Sequence, residues 1–131
     1  MTDEVHTEVH TDLSRDTCVD LLSKTSFARV VISVRCLPAA LPARIAVLDD
    51  SHLLVASSEA AVIIAARNGD VLSVQIDGLE PGGATWSVMA SGLASTAQDL
   101  TNLPAPLHDA AKRGATLISL PMSVVVGERI G

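Results

Sequence analysis

The sequence predicts a small, mainly β domain in which six or seven antiparallel strands close into a barrel, with a few short helices around it. Three observations lead there. Short runs rich in β-branched residues recur along the chain, several of them alternate in polarity, and turn-forming residues separate them. Closure is expected because it removes the unpaired edges that such strands otherwise expose. At 131 residues the chain fits one domain, since a second would have to fold in about 60 residues, where a single core is marginal.

Residues 1–12 open with the repeat Glu4-Val5-His6-Thr7, Glu8-Val9-His10-Thr11 and contain few large apolar groups. They are expected to form an acidic, disordered tail ahead of a folded domain spanning 13–131. Ser14 is a candidate cap for a helix over about 15–25, in which Cys18, Leu21 and Leu22 recur at helical spacing. A meander of three strands follows. Its members are Phe27 to Arg35, Leu41 to Val47 and His52 to Ser57, joined by a loop at 36–38 and a turn at Asp49-Asp50-Ser51.

Ser57 and Ser58 offer caps for a helix over 59–67 that stops at Asn68-Gly69. That helix is apolar nearly all round, which predicts burial on more than one side. Val71 to Asp77 alternates again, and a turn-rich loop over 78–83 leads into a long strand from Ala84 to Thr96 with a bend at Gly92. The stretch 99–114 reads as loop and short helix. Thr116 to Leu120 and Val124 to Arg129 complete the strands.

Composition narrows the partners. Nine Lys and Arg against 15 Asp and Glu give a net charge of −6, and Phe27 and Trp86 are the only aromatic residues, so neither phosphate attraction nor base stacking favours nucleic acid. The longest apolar run, Ala60 to Ala66, is far short of the roughly 20 residues of a membrane span. The N-terminus lacks a basic region followed by an apolar one, and a cytoplasmic location is expected. Cys18 and Cys36 fit free thiols in a reducing compartment.

Recognised chemical motifs are few. His6 and His10 share a helical i, i+4 spacing but have no third ligand nearby, so no metal site is expected. Cys18 with His52 or His108 lacks a nucleophile elbow, and no catalytic residue is assigned.

The segments Cys18-Val19-Asp20-Leu21-Leu22, Ala28-Arg29-Val30-Val31, Pro42-Ala43-Arg44-Ile45, Val71 to Asp77, Thr85-Trp86-Ser87-Val88, Gly92 and Val126-Gly127-Glu128-Arg129-Ile130 occur in an order and at a spacing that resemble one family. It is the pyridoxamine 5′-phosphate oxidase-like, flavin-nucleotide-binding split-barrel family. The resemblance implies a split β-barrel homodimer with FMN, or in related branches a deazaflavin coenzyme, in a groove between subunits. Activity, if retained, is then flavin- or deazaflavin-dependent oxidoreduction, with the cofactor transferring hydride or electrons.

The phosphate site departs from that pattern. Where the family carries Arg-Thr-x-x-Gly-x-Lys, this chain has Ala56, Ser57, Ala60 and Val62. A flavin phosphate bears about −1.5 to −2 charges and is normally held by charge-assisted hydrogen bonds, so weak or lost cofactor binding is expected. The remaining cofactor-binding candidates are Ser57 and Ser58 at the start of the helix, Trp86, and Arg44 as a compensating cation; Glu59 opposes an anion there. The alternative is a cofactor-free dimeric binding or interaction module whose apolar groove is lined by Val62 and Trp86.

Overall fold

The protein is described here by a computed structural model covering residues 8–97 and 102–131. The elements run β1 (His10–Asp12), α1 (Arg15–Ser23), β2 (Phe27–Val34), β3 (Leu37–Asp49), β4 (His52–Ser57), α2 (Ala60–Arg67), β5 (Val71–Leu79), β6 (Thr85–Leu93), β7 (Ser95–Thr96), α3 (Ala105–Lys112), β8 (Thr116–Pro121) and β9 (Val124–Ile130). All pairings are antiparallel, in the order β1-β9-β6-β5-β2-β3-β4-β8-β7. The seven long strands are those the sequence predicts. The short β1 is additional, and the expected strand from Ala84 to Thr96 is divided into β6 and β7.

Closure comes from one bent strand. β6 pairs with β5 and β9, and after a break at Ala94 its continuation β7 pairs instead with β8. The Ala94 N–H donates to the Asp70 carbonyl at 2.9 Å, which fixes the bend. Just before it, Gly92 lies so close to the backbone of β8 that a Cβ would stand 1.8 Å from the Pro121 carbonyl oxygen. Only glycine lets the two ends of the sheet approach like this.

The interior is aliphatic, with Val30, Ile45, Leu53, Val55, Val74, Val88, Ile118 and Leu120 almost wholly removed from water. Two helices add to this core. Ser14 caps α1 by accepting a hydrogen bond from the Thr17 N–H at 3.2 Å, and the helix inserts Cys18 and Leu22. Arg15 fastens that end by donating to the Asp50 and Met122 carbonyls at 3.1 and 3.0 Å. From β4, α2 inserts Val62, Ala65 and Ala66 into the same core.

β4 is buried on both faces. Leu53 and Val55 point into the barrel, whereas Leu54 and Ala56 point outward and meet Leu107 of α3 and Leu117 of β8 in a second, smaller core. Each large aliphatic side chain so buried contributes about 1.5–3 kcal/mol by leaving water. α3 is therefore held by its apolar side over β3, β4 and β8, because eight residues are too few for a helix stable by itself.

Several expectations are corrected. The proposed tail is too long at its C-terminal end, because His10–Asp12 pairs with β9 and so belongs to the folded domain; residues 1–7, including His6, lie outside the described residues. The expected loop at 36–38 is a two-residue turn, Arg35 and Cys36, both with positive φ (51° and 64°), from which β3 starts already at Leu37. α2 buries one face and leaves Ile64 exposed, because its alanines let it pack closely on a single side. The start of the 99–114 segment falls partly outside the described residues, and its helix is α3. Among the described residues no helix is long and apolar enough to cross a membrane.

Three outcomes follow from these contacts. Gly92→Ala should destabilise the fold by about 2 kcal/mol or more in chemical denaturation, since backbone must move to admit the methyl group. Cys36→Gly should stabilise it by about 0.5–1 kcal/mol, by relieving a non-glycine residue of positive φ.

The third concerns pH. The Glu128 carboxylate bonds His10 Nδ1 across the β1–β9 pair and raises the histidine pKa above its usual value. A raised folded-state pKa stabilises fully below the unfolded value of about 6.5 and loses its effect as pH rises through the folded value. Hydrogen exchange, corrected for intrinsic rates, should show β1 better protected than in His10→Ala at about pH 5.5, with the difference gone by about pH 8.5.

Candidate functional site

The edge of α3 creates a cleft on the outer face of the barrel. Arg44 and Ala56 are directly opposed partners on β3 and β4, so their side chains rise from the same face about 5 Å apart at Cβ. On its other side Arg44 is paired with Phe27 of β2, and its guanidinium carbon lies 5.7 Å from the centre of that ring. This cation–π contact holds the arginine over the outer sheet face.

At the end of β4 the chain turns into α2. The Ser57 hydroxyl is buried and accepts a hydrogen bond from the Glu59 N–H at 3.1 Å, so it shapes the turn. Ser58 and Glu59 are exposed, and Glu59 occupies the N-cap position without a side-chain capping bond. Together with Phe27, Pro42, Arg44, Ala110 and Arg113, these residues line a cleft of about 310 Å³. An adjoining cavity of about 260 Å³ is lined by Arg44, Pro106, Asp109, Ala110 and Arg113.

Arg44, Ser57 and Ser58 are thus brought together in one cleft. Trp86 is not. It shares the inward orientation of Val88 and Ala90 on β6 and packs against the main core, with its ring over Gly78, where a Cβ would come within 2.3 Å of the indole. The apolar groove expected between Val62 and Trp86 is likewise corrected, because Val62 is fully buried in the barrel core.

Sequence reading missed Arg113. The segment Lys112-Arg113-Gly114 marks a helix end, and nothing in the linear order indicates that this end meets β3. The signal that could have located it is the outward apolar row Leu54 and Ala56, which requires a covering helix.

The other sequence candidates serve structure. Cys18 is buried with its thiol packed over Gly127, and burial raises its pKa. His52 bonds Ser51 and Asp49 in the β3–β4 turn, where the Ser51 hydroxyl and N–H hold the Asp49 carboxyl at about 2. Among the described residues no group of three or more His, Cys, Asp or Glu side chains could hold a metal ion.

Chemically, the cleft is lined by two arginines, an exposed serine and the start of a helix, together with the acidic Glu59. Among the described residues neither Arg44 nor Arg113 makes an ion pair. Such a donor set suits a multiply charged oxyanion.

The sequence model of the pyridoxamine 5′-phosphate oxidase family matches residues 14–127, and the chain belongs to that family of split-barrel proteins. A relative is the uncharacterized protein Rv0080 of Mycobacterium tuberculosis, 30% identical over 128 residues that cover 91% of this chain and 84% of that protein. Two solved structures share the backbone arrangement. An FAD-binding protein (mll6688) of Mesorhizobium loti superposes with a TM-score of 0.74 at 20% identity, covering 95% of this chain and 99% of that one. The FAD binding protein of Mycobacterium smegmatis gives 0.69 at 21% identity, covering 92% and 98%.

The acid in this cleft has a measurable effect. Glu59→Gln should tighten binding of a phosphate-bearing ligand several-fold at low ionic strength, with the gain shrinking in high salt, as read by equilibrium titration.

Proposed function

We propose that the protein is a homodimeric flavin-nucleotide-binding split-barrel protein of oxidoreductase type, which takes its cofactor phosphate into the Arg44–Ser57–Ser58 cleft. The single observation that carries this reading is the pairing of Arg44 opposite Ala56. The cation missing from one strand is supplied by its immediate neighbour on the next, on the same face.

Held this way, the ligand has Arg44 as its charged anchor and Ser58 as a hydroxyl partner, while Ser57 maintains the turn that presents the α2 N–H groups. The bound flavin supplies hydride or electron transfer, and the polypeptide orients it. Binding is weaker than a site with both family cations gives, because Glu59 stands in the same cleft and Val62 contributes no charge. FAD-binding by the two structural neighbours supports a flavin over other nucleotides, while FMN and a deazaflavin coenzyme remain the competing ligands.

Dimerisation draws support from the outer face of β5, β6 and β9. Val71 pairs with Leu93, Ser91 with Val124 and Met89 with Val126, forming a weakly polar surface with four exposed aliphatic side chains. Such an unpartnered sheet face suits a second copy of the chain.

The substitution of Ala56 and Val62 for the family cations favours the second reading, a dimeric interaction module that binds no cofactor. Titration decides between them. Flavin fluorescence should be quenched on adding protein, and Arg44→Ala should weaken binding about ten-fold or more, the loss of one charge-assisted contact. Unchanged fluorescence at high protein concentration would establish the cofactor-free reading. In light scattering the wild type should be a dimer and Val126→Lys a monomer; a monomeric wild type removes the shared groove from both readings.

A further inference from the structure

We propose that a hollow over β1, β9 and β6 is the socket for Arg29 of a second copy of this chain, so that two identical, reciprocal ion pairs lock the dimer. This rests on the dimer reading above and is independent of any flavin.

The hollow measures about 270 Å³ and is lined by Asp12, Ser87, Met89, Val126 and Glu128. Asp12 and Glu128 are directly opposed partners on β1 and β9, and like charges facing each other across a strand pair are destabilising until a cation joins them. His10 bonds Glu128, but among the described residues Asp12 makes no ion pair. Met89 and Val126 form an apolar wall beside the two acids. Such a setting suits an arginine, whose aliphatic stem packs on carbon while its planar head donates to carboxylate oxygens.

Arg29 is the matching cation on the same outer face. It is exposed, and among the described residues it makes no ion pair, whereas Arg44 beyond it on β3 is held by the Phe27 ring at 5.7 Å. Strand register joins Arg29 to the hollow in one row across the sheet: Val126 pairs with Met89, Met89 with Gln75, and Gln75 with Arg29. The seam between β6 and β5 halves that row. A two-fold axis along the seam exchanges β9 for β2, and so carries Arg29 of each copy to the hollow of the other. Curvature of the barrel opens a gap at the flanks of a contact centred on the seam, and a long side chain is what crosses it. The exposed aliphatic residues of this face would accept any apolar surface, but the reciprocal charges select a copy of the same chain.

The test is sedimentation equilibrium of the full-length chain in low-salt buffer at about pH 8.5, where His10 is neutral. Arg29→Glu, and a reversed socket carrying Asp12→Lys with Glu128→Lys, should each weaken the dimer about ten-fold or more, because each homodimer then sets like charges together twice. Mixed in equal amounts, the two variants should dimerise with close to wild-type affinity, since both contacts of the mixed pair join opposite charges. Circular dichroism melts will establish that the variants are folded. If either is not, Arg29→Ala, the pair Asp12→Ala with Glu128→Ala, and their combination replace them: a combined loss no larger than the single losses supports the pairing, and additive losses overturn it. Charge-reversed variants that dimerise as tightly as wild type, or weakened variants whose mixture stays weak, overturn the socket and leave the dimer standing. A monomeric wild type overturns both.

Discussion

A strand that is apolar on both faces has to be covered twice, and β4 is such a strand. Leu53 and Val55 are satisfied by the barrel interior, but Leu54 and Ala56 would remain wet unless something lay over the outside of the sheet. α3 meets that need with Leu107 and a row of alanines. The helix is short, so its cover stops near Arg44, and beyond it the outer faces of β2 and β3 remain open. The cleft is the border between covered and uncovered sheet. Its position is a consequence of where the hydrophobic layer ends.

The same geometry accounts for the charges. Position 62 faces the core, where an unpaired cation would lose its hydration, and Val62 packs there at no such cost. Position 56 forms part of the layer under α3, and an alanine there keeps that layer apolar. Cations at positions 44 and 113 stay in water while remaining beside the cleft. This chain therefore keeps its charged groups on the outside of two packing layers, in exchange for weaker desolvation of any anion they hold.

Much of the fold was legible from local pattern. β-Branched runs, alternation and the turns between them located all seven long strands, and Ser14 marked the start of α1. The short β1 was not legible, because it has three residues and exists through pairing with the distant Glu128 to Ile130, whereas β7 falls inside the expected strand from Ala84 to Thr96 and only its change of partner to β8 was not legible. At the candidate site, Ser57 and Ser58 were legible from the β4–α2 boundary and Arg44 from its alternation against Ala43 and Ile45 on β3. Trp86 stands apart from these residues and packs against the core, as its parity with Val88 and Ala90 indicates. Arg113 was invisible for the opposite reason: it stands 69 positions from Arg44 in sequence, and the packing of α3 is what joins them.

Because α3 both seals β4 and bears Arg113, anything that grips this arginine also presses the helix onto the sheet. Occupancy and melting are thermodynamically tied at this point, since a molecule that binds only the closed arrangement depopulates the peeled one. Peeling α3 away would expose Leu54 and Ala56 together, so a molecule held at the end of this helix would also keep an apolar strand face out of water.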